Sequence, residues 1–407
     1  MSADPAQTER ILSQAEDGAC EFVDFQFTDV AGSVKSVVLP ARQLRETLRY
    51  GHSFDGSSLE GSARLMETDL LLRPDVATWG LLPWLGSGGE RTGRLLCDIR
   101  TPEGDPFPAD PRAVLRRVAE GAAELGFTYL VASELEFFLF HAPPAHAGLS
   151  AGAARVPAGA RETASPLDHG GYFDLASHHE ARVRDEMVHG LSALGVPVES
   201  SHHEIGPGQQ EIDLPPLDAL TAADALVTCK FVVKSVARRR GLAATFMPKP
   251  VAHVAGSGLH LHQSLLDAAG RDVLADPLDE HGLSPVGRAF VAGQLAHARA
   301  MCAVLAPTVN SYKRIGRGFD APVFIGWGHT NPLAVVRVPR AVRRRLGTGN
   351  LAPPTAVAAL RPELRCPDPS CNPYLALAVA LAAGLDGIRA QLELPEPVEP
   401  ASGTAEM

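Results

Sequence analysis

The densest chemistry in the sequence lies between Glu199 and Glu211, which reads Glu-Ser-Ser-His-His-Glu-Ile-Gly-Pro-Gly-Gln-Gln-Glu. Three carboxylates and two histidines surround Gly206-Pro207-Gly208, a turn that folds two short extended arms together and makes Glu204 and Glu211 converge. Two acids at that range call for a cation between them. Upstream, Ser133-Glu134-Leu135-Glu136-Phe137 has the period of a strand, with Glu134 and Glu136 on one face and Leu135 on the other. A single Glu-x-Glu is more often a solvated strand edge than a metal site, so neither pair carries the argument alone. Two further stretches do. Leu259 to Ser264 alternates in the same way and offers His260, His262 and Ser264 on one face, behind Gly256-Ser257-Gly258. Arg361-Pro362-Glu363-Leu364-Arg365 sets another acid between two fixed positive charges. Carboxylates in this number with one imidazole suit magnesium or manganese better than zinc, and carboxylate-held magnesium usually accompanies a nucleotide phosphate.

The elements that must position these groups are legible in outline. Pro5 to Gly18 reads as a short amphipathic helix, followed by alternating segments at 22–27 and 34–39 around an Asp29-Val30-Ala31-Gly32 turn. A small mixed domain fits residues 1–102, with Phe54 to Ser58 a loop presenting Asp55, and a larger domain fits 103–407. The proline-rich stretch 101–111 joins them. Asp110-Pro111 starts a helix through Leu125, Asp as N-cap and Pro in the first turn. Residues 142–164 read as a mobile loop, and helices are expected over 181–194, 217–240 and 288–305. Arg238-Arg239-Arg240 complements a helix dipole without invoking a ligand. Periodicity alone gives an α+β fold.

Composition narrows the function. The chain has 407 residues, 45% of them hydrophobic, enough for a large core and two domains. A net charge of -10 disfavours nucleic acid and anionic membranes, leaving small molecules as ligands. Six cysteines without Cys-x-x-Cys spacing read as reduced thiols, the polar start lacks a signal peptide, and the longest apolar run, Leu375 to Ala383, is too short for a bilayer. A cytoplasmic location is expected.

The motifs together resemble glutamine synthetase of the bacterial and archaeal type I. They run in family order: Phe54-Asp55-Gly56-Ser57-Ser58, Glu134-Leu135-Glu136-Phe137, His202-His203-Glu204 through Pro207-Gly208-Gln209-Gln210-Glu211, Met247-Pro248-Lys249-Pro250, Gly256-Ser257-Gly258-Leu259-His260, Asn310-Ser311-Tyr312-Lys313-Arg314 and Arg361 to Arg365. The resemblance implies a small β-grasp-like N-terminal domain and a large catalytic domain, its antiparallel sheet lined by metal-binding acids and wrapped by helices. It implies ATP and Mg2+ or Mn2+, with Glu136, Glu204 and Glu211 on one ion and Glu134, His260 and Glu363 on the other. Arg314 and Gly256 would meet the acid substrate, and Arg337 and Arg365 the phosphate. His262 and Ser264 would approach the nucleotide, while Tyr172 and Asp55 would form the amine pocket. Asp320 would be the acid that takes the ammonium proton. In the family the small domain packs beside a neighbouring subunit, so a homo-oligomer with active sites between subunits is implied, as a hexameric ring or double ring.

The departures bear on the substrate. The family's Tyr-Glu-Ala-Pro is here Phe319-Asp320-Ala321-Pro322, its Asn-Arg-Ser is Asn331-Pro332-Leu333, and the Asn before Gly256 is Ala255. Ser177-His178-His179 stands where the amine should enter, 339–361 reads as an insertion, and the helical extension that ties two rings together is missing after Ile388. A shorter acid at Asp320 loses contact with ammonia or makes room for a larger amine. The expected activity is an ATP-dependent ligase forming a γ-glutamyl amide through an acyl phosphate, with ammonia or a larger amine. Pro332 keeps open an alternative, a catalytically weak paralogue with a regulatory or assembly role.

Overall fold

The computed structural model describes residues 5–57, 59, 69–86, 88–141, 166, 168–174, 178–276, 278–316, 321–340 and 361–399. After helix α1 (Pro5–Asp17), the alternating segments form β1 (Cys20–Thr28) and β2 (Val34–Pro40), an antiparallel hairpin. Helix α2 (Leu44–Tyr50) leads into β3 (His52–Asp55), β4 (Asp69–Pro74), β5 (Gly80–Leu81) and β6 (Arg91–Arg100). The sheet runs β2-β1-β6-β4-β3, with β5 also on β6. Its central pair, β1 and β6, is parallel, as in a β-grasp, and Val23, Phe25, Leu72, Leu95 and Ile99 fill the space beneath α1 and α2.

Asp110 caps α3 (Pro111–Ala123) by accepting from the Arg112 amide, with Pro111 in the first turn as the sequence predicts. Strand β7 (Thr128–His141) follows, rich in the aromatic and apolar residues that suit a pleated, buried surface. It is the spine of an eight-stranded sheet, ordered β12-β13-β14-β11-β7-β9-β8 with β10 also on β7. The remaining strands are β8 (Ser200–His203), β9 (Gln209–Asp218), β10 (Leu242–Thr245), β11 (Leu259–Leu266), β12 (Phe324–Gly328), β13 (Ala334–Arg337) and β14 (Glu363–Leu364). All pairings are antiparallel except β12 with β13.

Helices α4 (His178–Ala193), α5 (Ala219–Arg239), α6 (Pro285–Leu305) and α8 (Pro373–Ala390) pack on the apolar face of this sheet, and α7 (Ser311–Arg314) is a single turn near its edge. Asp218, Ser284 and Asn372 cap α5, α6 and α8 through their side chains. Helix α8 is apolar and long enough in composition to cross a membrane, but it lies mostly buried, against α6 and α3.

Two polar joints tie the β-grasp layer to the larger sheet. The buried Arg112 guanidinium meets Asp98 of β6 at 2.5 Å, Asp75 at 2.6 Å and Asp224 of α5 at 2.8 Å, and Asp224 also accepts from the Tyr374 hydroxyl. Asn372, besides capping α8, donates to the carbonyls of Asp29 and Val30 in the β1–β2 turn.

Candidate active site

The register of the large sheet assembles the site. Across β7, Glu134 lies opposite His260 of β11 on one side and Asp213 of β9 on the other, and Glu136 lies opposite Glu211. His262 faces Glu363 of β14, Glu363 faces Arg337 of β13, and His202 of β8 faces Glu211. Leu135, Phe137 and Ile212, one position away, point into the core. The Gly206 to Gly208 turn then returns Glu204 to the same face, its backbone amide donating to the Gln209 carbonyl. The result is a cavity of about 820 Å³ lined by Glu134, Glu136, Glu204, Glu211, His260 and Glu363 together with Tyr172, Gly256, Arg314, Arg337 and Arg365.

Within it the acids are held unequally. Glu134 takes His260 Nδ1 and His262 Nε2, each at 2.8 Å. Burial alone would raise its carboxyl, but the two imidazoles outweigh burial and hold it well below the usual range. Glu363 is fully buried between Arg337, at 2.8 Å, and Arg365, with His260 Nδ1 at 3.5 Å; against the upward push of burial, His260 and Arg365 keep it low. The other three acids are under-compensated. Glu136 accepts from the Gln209 amide at 2.8 Å and the Gly258 backbone at 3.0 Å, yet burial, then the charge of Glu204, raises its carboxyl. Glu204 is raised by burial, and Glu211 is raised most, by burial and then by Glu136 directly opposite. Among the described residues, His202 Nε2 approaches the Glu211 carboxylate at 3.2 Å.

Such a cluster is what a cation site requires, and ligand atoms converge in two places: Glu134, His262 and Glu363 within one group, His202, Glu204 and Glu211 in the other. Oxygen-rich donor sets of this kind fit Mg2+ or Mn2+. Beside Glu136, the buried Arg314 guanidinium is fixed by the carbonyls of Arg365 at 3.2 Å, Cys366 at 3.3 Å and Pro367 at 3.1 Å. Gly258 lets it approach: a Cβ there would run into the Arg314 guanidinium and crowd His260 and Glu136.

Several expected residues lie elsewhere. Asp55, exposed at the end of β3 and held by the Ser57 amide and hydroxyl, is not part of the cavity lining. Ser264 is buried and bonded to Asp272, and His262, outside the cavity lining, bonds Glu134 and converges with Glu363. Asp320 lies outside the described residues, as do the loop at 142–164 and most of 339–361, though Ala321 lines the cavity. Four further residues take part in the site. His202 shares the face of Glu204 by the same period of two, a signal that was present. Gln209, which ties Glu136 to the Gly256 carbonyl, and Asp213 are set by register. Asp168 secures the β8–β9 turn by holding His203 Nε2 at 2.7 Å and accepting from the Gly208 amide, a contact 35 residues long that no local pattern encodes.

An acid-lined cavity backed by fixed arginines, on a mostly antiparallel sheet with a β-grasp layer beside it, suits an enzyme of metal-assisted phosphoryl transfer. Comparison with known proteins narrows this. The family model described as "Glutamine synthetase, beta-Grasp domain" matches residues 19–102, and "Glutamine synthetase, catalytic domain" matches 108–405. Glutamine synthetase of Thermus thermophilus is 44% identical over 393 residues, 96% of this chain and 82% of the relative; that of Clostridium saccharobutylicum is 42% identical over 392 residues with the same coverage. A solved structure of apo GmaS superposes with a TM-score of 0.78 at 34% identity, covering 96% of this chain and 83% of that one, and a GmaS/ADP complex gives 0.77 at 33%, covering 96% and 84%. The chain belongs to the glutamine synthetase family, ATP-dependent ligases that use divalent metal ions to join a carboxylate to ammonia or an amine.

Proposed function

We propose that this chain forms a γ-glutamyl amide from ATP, glutamate and a small primary alkylamine, within an oligomer. The observation that carries the choice of amine is an aromatic group beside the acids: Tyr172 and Phe173 have ring centroids 4.0 Å apart, and the edge of His202 meets them at 5.6 and 4.6 Å. Rings over carboxylates favour a cation that carries alkyl groups, because the π faces attract charge while the apolar surface shelters carbon. Ala255, small where the resemblance expects Asn, lines the same cavity. Ammonia is the second reading, favoured by the identity to the curated glutamine synthetases.

In this reading Glu204 and Glu211, with Glu136 or His202, hold one ion, and Glu134 and Glu363, with His260 or His262, hold the other. The bound ions supply positive charge against the phosphoryl oxygens of ATP. Arg314, immobilised by three carbonyls, fixes the glutamate; Arg337 and Arg365 face the transferring phosphoryl group. The γ-carboxylate oxygen takes the terminal phosphoryl group, releasing ADP. The neutral amine nitrogen then forms the C–N bond as phosphate departs, carrying off one N–H proton; the other, lost from the ammonium beforehand, goes to a cavity carboxylate. We assign that role to Asp320, next to the cavity residue Ala321. Asp55 would complete the amine pocket from an adjacent copy, since its own chain does not bring it there. Nucleotide binding is supported by the ADP held in the similar GmaS complex.

The test is phosphate release with ATP, Mg2+ or Mn2+ and glutamate, adding in turn ammonium, methylamine, ethylamine, ethanolamine and putrescine. The proposal expects the highest kcat/KM with a small alkylamine. Preference for ammonium by more than about tenfold would install the second reading, and silence with all amines despite ATP binding would favour the regulatory paralogue.

A further inference from the structure

A second cavity, as large as the catalytic one at about 820 Å³, lies behind it and has no part in the chemistry above. One wall is a face of α5, where Lys230, Lys234 and Arg238 follow at intervals of four and so stack along one side of the helix. These are two of the chain's five lysines. Facing them are Phe246, whose ring centroid is 5.6 Å from the Lys234 ammonium, and Asn310. The lining holds no acid, and among the described residues none of the three basic groups forms an ion pair. Lys230 is buried, donating to the Cys371 carbonyl at 2.9 Å, and Asp368, which acts on it electrostatically, is turned to the Ser370 amide and hydroxyl.

Lys234 and Arg238, with the buried Lys230 behind them, put positive charge along one wall of a cavity whose lining holds no acid, which makes a site for negative charge. Spaced about 6 Å apart along a helix, they match an extended ligand with more than one anionic group better than a single small ion. Phe246 and Met247 offer apolar surface for a hydrocarbon body.

The two cavities share a wall. Pro248 lines the second one, and its carbonyl accepts from the Ser257 amide and packs against Gly256, which lines the catalytic cavity. Asn310 exchanges hydrogen bonds with the Lys249 backbone at 2.7 and 3.0 Å and precedes the turn that carries Arg314. We propose that this second cavity is an effector site for a small multivalent anion bearing phosphate or carboxylate groups, and that its occupancy alters acid-substrate binding through the shared wall at Gly256 and Arg314.

The test uses calorimetry on the metal-free oligomer with pyrophosphate and with succinate, which separate the two anion classes without turnover. Each is then added to the activity assay with metal in excess. Lys234→Met with Arg238→Met alters exposed residues outside the catalytic cavity, and Arg337→Met serves as the control that removes a catalytic-cavity cation. The proposal expects saturable binding of one anion class, weakened at least about tenfold in the double variant and kept in the control, with a change in KM for the acid substrate that the double variant loses. No saturable binding, binding unchanged in the double variant, or binding without effect on KM would each overturn it. Because binding is read without catalysis, failure here is distinct from failure of the proposed reaction.

Discussion

At the scale of single residues, the site is defined by carboxylates that repel one another. Glu136 and Glu211 are raised above the range in which unfolded glutamates titrate, about 4.3. Between that range and their folded values the native state binds more protons than the unfolded chain, so the metal-free protein loses stability as pH rises through this window. Glu134 and Glu363, held low, act in the opposite sense but only below the unfolded range. The metal-free melting temperature should therefore fall from about pH 5 to about pH 8, more steeply than in Glu211→Gln, and Mn2+ should remove the slope by holding the ionised forms. Equal slopes in wild type and variant would contradict the assignment. The same variant should bind Mn2+ at least about ten- to a hundredfold more weakly by calorimetry. The acids themselves were legible because a strand's period of two sorts faces from sequence alone. Which acid opposes which was not, because pairing between β7, β9 and β11 is a property of register.

At the scale of elements, helix starts were readable where a polar cap precedes a proline, as at Asp110-Pro111. Helix α8 begins with the same signal, Asn372 before Pro373, but its body is apolar on nearly every side and shows no stripe to distinguish it. It owes its place to close packing on α6: a Cβ at Gly293 would overlap the Ala383 carbonyl, and one at Gly387 the Ala289 carbonyl. Gly293→Ala should cost about 1–3 kcal/mol in denaturant unfolding, through overpacking. Gly121 sits in α3 with nothing within 4 Å of an added Cβ, so Gly121→Ala should instead be stabilising, by about 0.5–1 kcal/mol. Opposite signs for one chemical change would separate packing from helix propensity; like signs would refute the account.

At the scale of the whole molecule, the exposed Asp55 and the acid cavity lie on different parts of one chain. If adjacent copies share a site, Asp55→Asn and Glu204→Gln are each inactive alone yet complement when co-assembled. Random mixing leaves intact sites at half times half, so activity should return to about a quarter of wild type. Continued inactivity in verified hybrids would place Asp55 outside the amine pocket. That a small mixed layer precedes a larger one was foreseeable from the proline-rich stretch between them. The joints were not: Arg112 reaches Asp224 and Asn372 reaches Asp29 across separations of 112 and 343 residues.

Strand β7 carries a consequence for how mutations in this protein would be read. Leu135, Phe137 and Leu139 hold the core, whereas Glu134 and Glu136 between them make the cavity floor. Substitutions at the first set should lower the amount of folded protein a cell retains; at the second they should leave abundance intact and abolish turnover. Scored for both properties, positions 134 to 137 would separate into two interleaved phenotypes, so a variant's neighbour in sequence would be a poor guide to its effect and the residue two places away a good one.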